Sequence, residues 1–210
     1  MLRVRHAVFD FDGTLVDSNR VKRDGFLAIA ARHPDGVECM HRILDDEPGD
    51  RSAKIAAYVA RMRATSAEFT GDVDMLLETY SAAVDSEVVN AAEMADAQPL
   101  LKALRDGGVA CYLSSATPIS NLRRIIERRS WANYFDGVFG HPDSKEQTLE
   151  RLIRCNGGDP MEFAVIGDGE DDRASAKAVG CRFFSVGEGR GRDREEPVYS
   201  LGELAAILLD

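Results

Sequence analysis

Positive charge, thiols and histidine are all scarce in this sequence, and each shortage closes off a class of function. Lys and Arg number 26 against 36 Asp and Glu, leaving a net charge of -10. A chain with that balance is poorly matched to nucleic acid or to an anionic membrane surface. No apolar run approaches the roughly 20 residues that would span a bilayer. The first residues, Met1 to Arg5, run directly into a strand, so no signal peptide is expected. The four cysteines, Cys39, Cys111, Cys155 and Cys181, are scattered without a C-x-x-C pair. That argues against a structural zinc site and favours a reducing, cytoplasmic setting. Cys111 and Cys181 lie in apolar strand-like runs and are expected to be buried small residues. The histidines, His6, His33, His41 and His141, show no ligand spacing. Internal repeats and low-complexity tracts are also absent.

What the chain does have is an ordinary globular composition, 44% hydrophobic and 30% charged over 210 residues. That is enough for one well-buried domain, or a core with a small insert. Near the N-terminus an apolar run, Ala7 to Phe9, reads as a buried strand that ends in Asp10-Phe11-Asp12-Gly13-Thr14. Strand side chains alternate with period two, so Asp10 and Asp12 leave on the same side. Two like charges so placed repel, and raise at least one pKa unless a cation or a proton sits between them. A calcium loop is a poor reading of this segment, because Val21 stands where the twelfth-position acid belongs.

From about residue 100, short apolar runs alternate with helical patterns. Strands are expected at Val109–Leu113, Val138–Phe139, Phe163–Ile166 and Cys181–Val186. Helices are expected at Pro118–Arg129, Ser144–Cys155, Asp171–Val179 and Leu201–Leu209. This alternation predicts βαβ units and an α/β fold, a Rossmann-like parallel sheet with helices on both faces. Residues 18–95 differ. Stripes at Phe26, Ile29 and Ala30, at Ile55, Val59 and Met62, and at Met75, Leu76, Tyr80 and Val84 predict an all-helical insert. Pro34-Asp35-Gly36 and Glu47-Pro48-Gly49-Asp50 are the breakers within it. The expected domains are therefore 1–17 with 96–210, and 18–95. The Gly/Arg-rich run 187–194 reads as a solvated loop, since its glycines do not open a helix.

A second acidic cluster, Gly167-Asp168-Gly169-Glu170-Asp171-Asp172, follows the strand Phe163–Ile166. Asp168 is expected at the carboxyl edge of the sheet, where ligands of open α/β folds bind, and Asp172 one helical turn on, facing back. Asp10, Asp12 and Asp168 are expected to converge there. Hard oxygen donors of this kind suit Mg²⁺, which pairs readily with phosphate. Glu170 and Asp171 read as first-turn helix acids, favourable at the positive dipole end. Ser114-Ser115-Ala116-Thr117 supplies hydroxyls and backbone N–H groups after another strand, and a helix cap is an alternative role for Ser115. Lys145, at the start of a helix, is misplaced relative to the dipole, so a local anion is expected to hold it.

Asp10-x-Asp12-Gly13-Thr14, Ser115, Lys145 and Gly167-Asp168-x-x-x-Asp172, in this order and on these elements, resemble the four motifs of the haloacid dehalogenase superfamily. The helical insert resembles the small cap of its phosphoglycolate phosphatase and β-phosphoglucomutase branch. The resemblance implies a phosphatase of a small phosphorylated metabolite, with Asp10 the nucleophile forming an aspartyl-phosphate and Asp12 the general acid and base. It implies Mg²⁺ held by the Asp10 carboxylate, the Asp12 carbonyl and Asp168, with Asp172 orienting metal waters. Gly13, Ser115, Ala116 and Lys145 would line the phosphoryl site. Gly49-x-Arg51 is reminiscent of a substrate-contacting stretch of the related caps, though one residue shorter, and Lys22 and Arg51 are candidates for reading a second anionic group. A phosphomutase shares all these core residues, and a catalytically silent binding or regulatory module is a third reading. Dehalogenation is disfavoured because Asp12 is present. Phosphonate hydrolysis is disfavoured because no cap lysine stands where a Schiff base would need one.

Overall fold

The computed structural model describes residues 3–47, 49–187 and 197–210. Pro48 and most of the Gly/Arg-rich run, both singled out above, lie outside the described residues. In chain order the elements are β1 (His6–Phe9), α1 (Asn19–Ala30), α2 (Gly36–Asp46), α3 (Arg51–Thr65), α4 (Val73–Asn90) and α5 (Ala97–Asp106). They continue with β2 (Ala110–Pro118), α6 (Ile119–Arg128), β3 (Gly137–His141), α7 (Lys145–Asn156), β4 (Phe163–Gly167), α8 (Glu170–Val179), β5 (Arg182–Val186), β6 (Val198–Tyr199) and α9 (Leu201–Leu209). The chain divides into two compact units, Met1–Asp17 with Ala92–Asp210, and Ser18–Ala91.

The first unit is built on a sheet of order β3-β2-β1-β4-β5-β6, parallel at every pairing among the described strands. Strand β1 sits at its centre, with Phe9 opposite Leu113 on one side and Ile166 on the other. The chain leaves β1 toward β2 and returns to its other side at β4, so the strand order reverses beside the end of β1. That is where open α/β sheets form their ligand crevice. Right-handed crossovers put α6, which runs outward from β2 to β3, on the opposite face from α7 and α8, which run the other way. Val8, Tyr112, Phe163 and Val165 pack with Leu149, Leu152 and Ala176 on the α7–α8 face. The alternate residues Ala7, Phe9, Cys111, Leu113, Ala164 and Ile166 are also buried. Burial on both faces explains why these strands read as continuous apolar runs.

Several elements differ from expectation, and helices α2 and α5 have no expected counterpart. Strand β2 does not stop at Leu113 but continues through Ser114–Thr117, because Ser114 and Ser115 pair with Phe139 and Gly140 of β3. The hydroxyl residues are thus edge-of-sheet backbone, and α6 starts after Pro118 with no side-chain cap, so Ser115 is not a helix cap. Two-residue β6 extends the sheet beyond β5. Cys181 precedes β5 and is half-buried, whereas Cys111 is fully buried; all four cysteines are free. Residues 92–94 belong to the sheet unit, where Asp17 donates to the Ala92 carbonyl and Met94 to that of Leu15.

The second unit is four helices, α1 to α4, around Phe26, Ile29, Met40, Ile43, Ile55, Tyr58, Met62, Leu76, Tyr80 and Val84, all buried. Helix α2 turns Met40 and Ile43, one helical turn apart, into this core. Among the described residues, no helix is long and apolar enough to cross a membrane.

Candidate active site

The turn after β1 is fixed by its own backbone. Asp10 N–H still donates to the Ile166 carbonyl, continuing the sheet, while Leu15 and Val16 both donate back to Phe11. Gly13 closes this loop at φ +82°, a left-handed conformation that glycine adopts without a Cβ clash. The result sends two carboxylates from one strand end to different partners. Asp10 turns toward β4 and α8, where one oxygen each from Asp10, Asp168 and Asp172 lie within 4.8 Å of one another. Thr14 Oγ1 lies between two of these groups, 3.5 Å from Asp10 Oδ2 and 3.4 Å from Asp168 Oδ1. Asp12 turns toward β2, where its Oδ2 accepts from Ser115 Oγ (3.3 Å) and Thr117 Oγ1 (3.2 Å). The Ser115 hydroxyl in turn accepts from the Thr117 amide at 3.1 Å.

Lys145 begins α7 behind a Ser144–Gln147 capping box. Its Nζ lies 3.0 Å from Asp10, 2.9 Å from Asp171 and 2.7 Å from Asp172. The lysine that is unfavourable for its helix end is therefore held by carboxylates. Asp172 reaches the cluster across Gly167: a Cβ there would lie 2.3 Å from the Asp172 Cγ, so only glycine at the end of β4 leaves room for that carboxylate.

The electrostatics are unbalanced. Burial pushes the Asp10 carboxyl up to about 6, against the pull of Lys145 and with the help of Asp12, Asp168 and Asp171. Burial likewise raises Asp172 well above the usual carboxylate range, with Asp10 adding to it. Burial alone would lower Lys145, but Asp10, Asp172 and Asp171 outweigh it and hold the ammonium firmly charged. Among the described residues, the buried Asp10 and Asp172 carboxylates share the Lys145 ammonium, and one cation does not balance two buried acids in a low-dielectric site. In addition, the buried Asp172 Oδ2 has no hydrogen-bond partner among the described residues, and an unpaired buried acceptor ordinarily costs a few kcal/mol. Both observations fit a divalent cation with oxygen ligands, for which Asp10 and Asp168 supply carboxylates.

Thr14, Thr117 and Asp171 are the contacts that motif spacing alone did not assign. Gly13 is half-buried in the turn and Ala116 is exposed on β2. In the helical unit, Lys22 is half-buried on α1. Arg51 opens α3 with its guanidinium over the Tyr80 ring, 3.3 Å from Ser81 Oγ and 3.9 Å from Asp85.

The sequence model of haloacid dehalogenase-like hydrolases matches residues 4–180. The chain belongs to this family. Its fold is shared by a predicted phosphoglycolate phosphatase from Haemophilus somnus, at 15% identity and TM-score 0.76 over 99% of both chains. A candidate β-phosphoglucomutase from Thermotoga maritima aligns at 16% identity and TM-score 0.74 over 98% of each chain. A subfamily IA hydrolase of the same superfamily from Geobacter sulfurreducens aligns at 20% identity and TM-score 0.69, covering 98% of this chain and 96% of that one. No curated protein matches the sequence.

Proposed function

We propose that this haloacid dehalogenase-like hydrolase is a Mg²⁺-dependent phosphatase of a small phosphorylated metabolite. The observation that carries the reading is the separation of two neighbouring acids into two environments. Asp10 sits in a carboxylate cluster beside an ammonium, and Asp12 sits apart under two hydroxyl donors. Such a split gives one carboxylate for nucleophilic attack and another for proton transfer.

In this reading an Asp10 oxygen forms a bond to phosphorus as the ester oxygen leaves, and Asp12 gives that oxygen its proton. Water then attacks the phosphoryl group on Asp10, Asp12 takes the water's proton, and Asp10 is released with inorganic phosphate. Asp10, Asp168 and the Asp12 carbonyl would hold Mg²⁺, with Asp172 orienting its waters; when bound, the ion would neutralise charge on the transferring oxygens. Lys145 and Ser115 bind phosphoryl oxygens, beside the backbone at Gly13 and Ala116. The Ser115 O–H has one proton and spends it on Asp12 in this structure. Thr117 makes its turn toward substrate affordable, because the second hydroxyl keeps Asp12 in place. Lys22 and Arg51 are our proposed readers of a second anionic group on the substrate.

The test is phosphate release from p-nitrophenyl phosphate and from a panel of phosphorylated metabolites. Release should require Mg²⁺, stop on chelation, and be lost in Asp10→Asn. A bisphosphate requirement with little net release would move the assignment to a phosphomutase. Inactivity across the panel, with metal bound and the fold intact, would reject catalysis.

A further inference from the structure

Three carboxylates crowd the Lys145 ammonium: Asp172 accepts its hydrogen bond at 2.7 Å, while Asp10 at 3.0 Å and Asp171 at 2.9 Å pair with it by charge. A phosphoryl oxygen arriving at this ammonium competes with three anionic groups for one positive charge. The three are not equally displaceable. The Asp10 and Asp172 side chains are 6% and 2% exposed, whereas that of Asp171 is 61% exposed. A buried carboxylate deprived of its cation is left uncompensated, which is costly. An exposed one exchanges its partner for water at little cost. Asp171 also lies in the first turn of α8, where the helix dipole favours an acid whether or not it is paired. Its carboxylate is folded back over Gly169, 2.4 Å from where a Cβ would stand, so the absence of a side chain there makes room for it.

We propose that the Asp171 carboxylate is a built-in stand-in for the phosphoryl group. It pairs with the Lys145 ammonium in the resting protein and swings into solvent when an anion arrives. The inference rests on the phosphoryl-transfer reading above and adds a competitor to it. Asp171 is a positioning residue: it acts through Lys145, and it sets how tightly the site holds phosphate, both entering as ester and leaving as product. A weakened hold on inorganic phosphate speeds product release, at the expense of substrate affinity.

The experiment is calorimetric titration of inorganic phosphate into the Mg²⁺-loaded wild type, Asp171→Asn, Asp171→Ser and Asp171→Glu, with unfolding midpoints recorded for each. Removing an exposed pair and one nearby negative charge should tighten phosphate about 3- to 10-fold in both neutral variants. Asp171→Glu should stay near wild type, since it restores a competing carboxylate. Equal or weaker phosphate binding in the folded neutral variants overturns the inference and leaves the phosphatase reading standing. No phosphate binding by any of the four proteins overturns that reading, and the inference with it.

Discussion

Removing or adding the cation should change the stability of this protein in a pH-dependent way. Burial raises Asp10 from 3.8 to about 6, so the folded state holds that proton more tightly than the unfolded state. The sign follows: the group costs nothing below pH 3.8, its penalty grows as pH rises, and it is complete above pH 6. A shift of roughly two units corresponds to about 3 kcal/mol, of which about half is already present at pH 5. Metal-free protein should therefore gain stability on Asp10→Asn at pH 7.5 and little at pH 4, despite the lost contact with Lys145. Mg²⁺ should remove the same penalty without mutation. At a hundredfold excess over its Kd, a ligand contributes about 2.7 kcal/mol, which for a chain of this size raises Tm by about 5 to 10 °C. At pH 5 the rise should be smaller, because ligation must displace a proton. The assay is thermal unfolding with and without Mg²⁺ at pH 5 and 7.5, in wild type and Asp168→Asn. An equal Mg²⁺ shift in Asp168→Asn, or no shift in wild type at pH 7.5, would refute the cation site.

Two substitutions probe the parts that hold the acids. Gly167→Ala puts a methyl group 2.3 Å from the Asp172 carboxyl carbon; it should cost about 1–3 kcal/mol in denaturant unfolding and weaken Mg²⁺ about 10- to 100-fold by titration. Thr117→Val removes one of the two hydroxyls on Asp12 and should lower kcat about 10- to 100-fold with KM little changed, while Thr117→Ser retains most activity. A purely additive double mutant with Ser115→Ala would argue that the two hydroxyls do not act on one carboxylate.

The α/β core was readable because its strands are buried on both faces and end in acids; Val8, Val165 and their neighbours carry that signal without help from tertiary contacts. Polar residues hid the rest. Ser114 to Thr117 read as lying beyond the strand end because nothing local shows that β3 will pair with them. Once they are strand, period two puts Ser115 and Thr117 on one side, and their shared grip on Asp12 follows. Helix α2 is missing from the expected stripes although Val37, Met40, Ile43 and Leu44 recur at helical spacing and Met40 and Ile43 are buried. The contact of Asp171 with Lys145 joins the first turns of α8 and α7. It depends on how those helix ends meet, which no spacing within either motif encodes.

The central claim is that Asp10 carries the phosphoryl group. Acid-quenching the Mg²⁺-loaded protein during turnover, digesting it and mapping phosphate by mass spectrometry tests it directly. The account predicts one hydroxylamine-labile phosphoryl group on the peptide containing Asp10, absent from Asp10→Asn. A phosphoryl group on Ser115 or another residue, or turnover retained in Asp10→Asn, would contradict it.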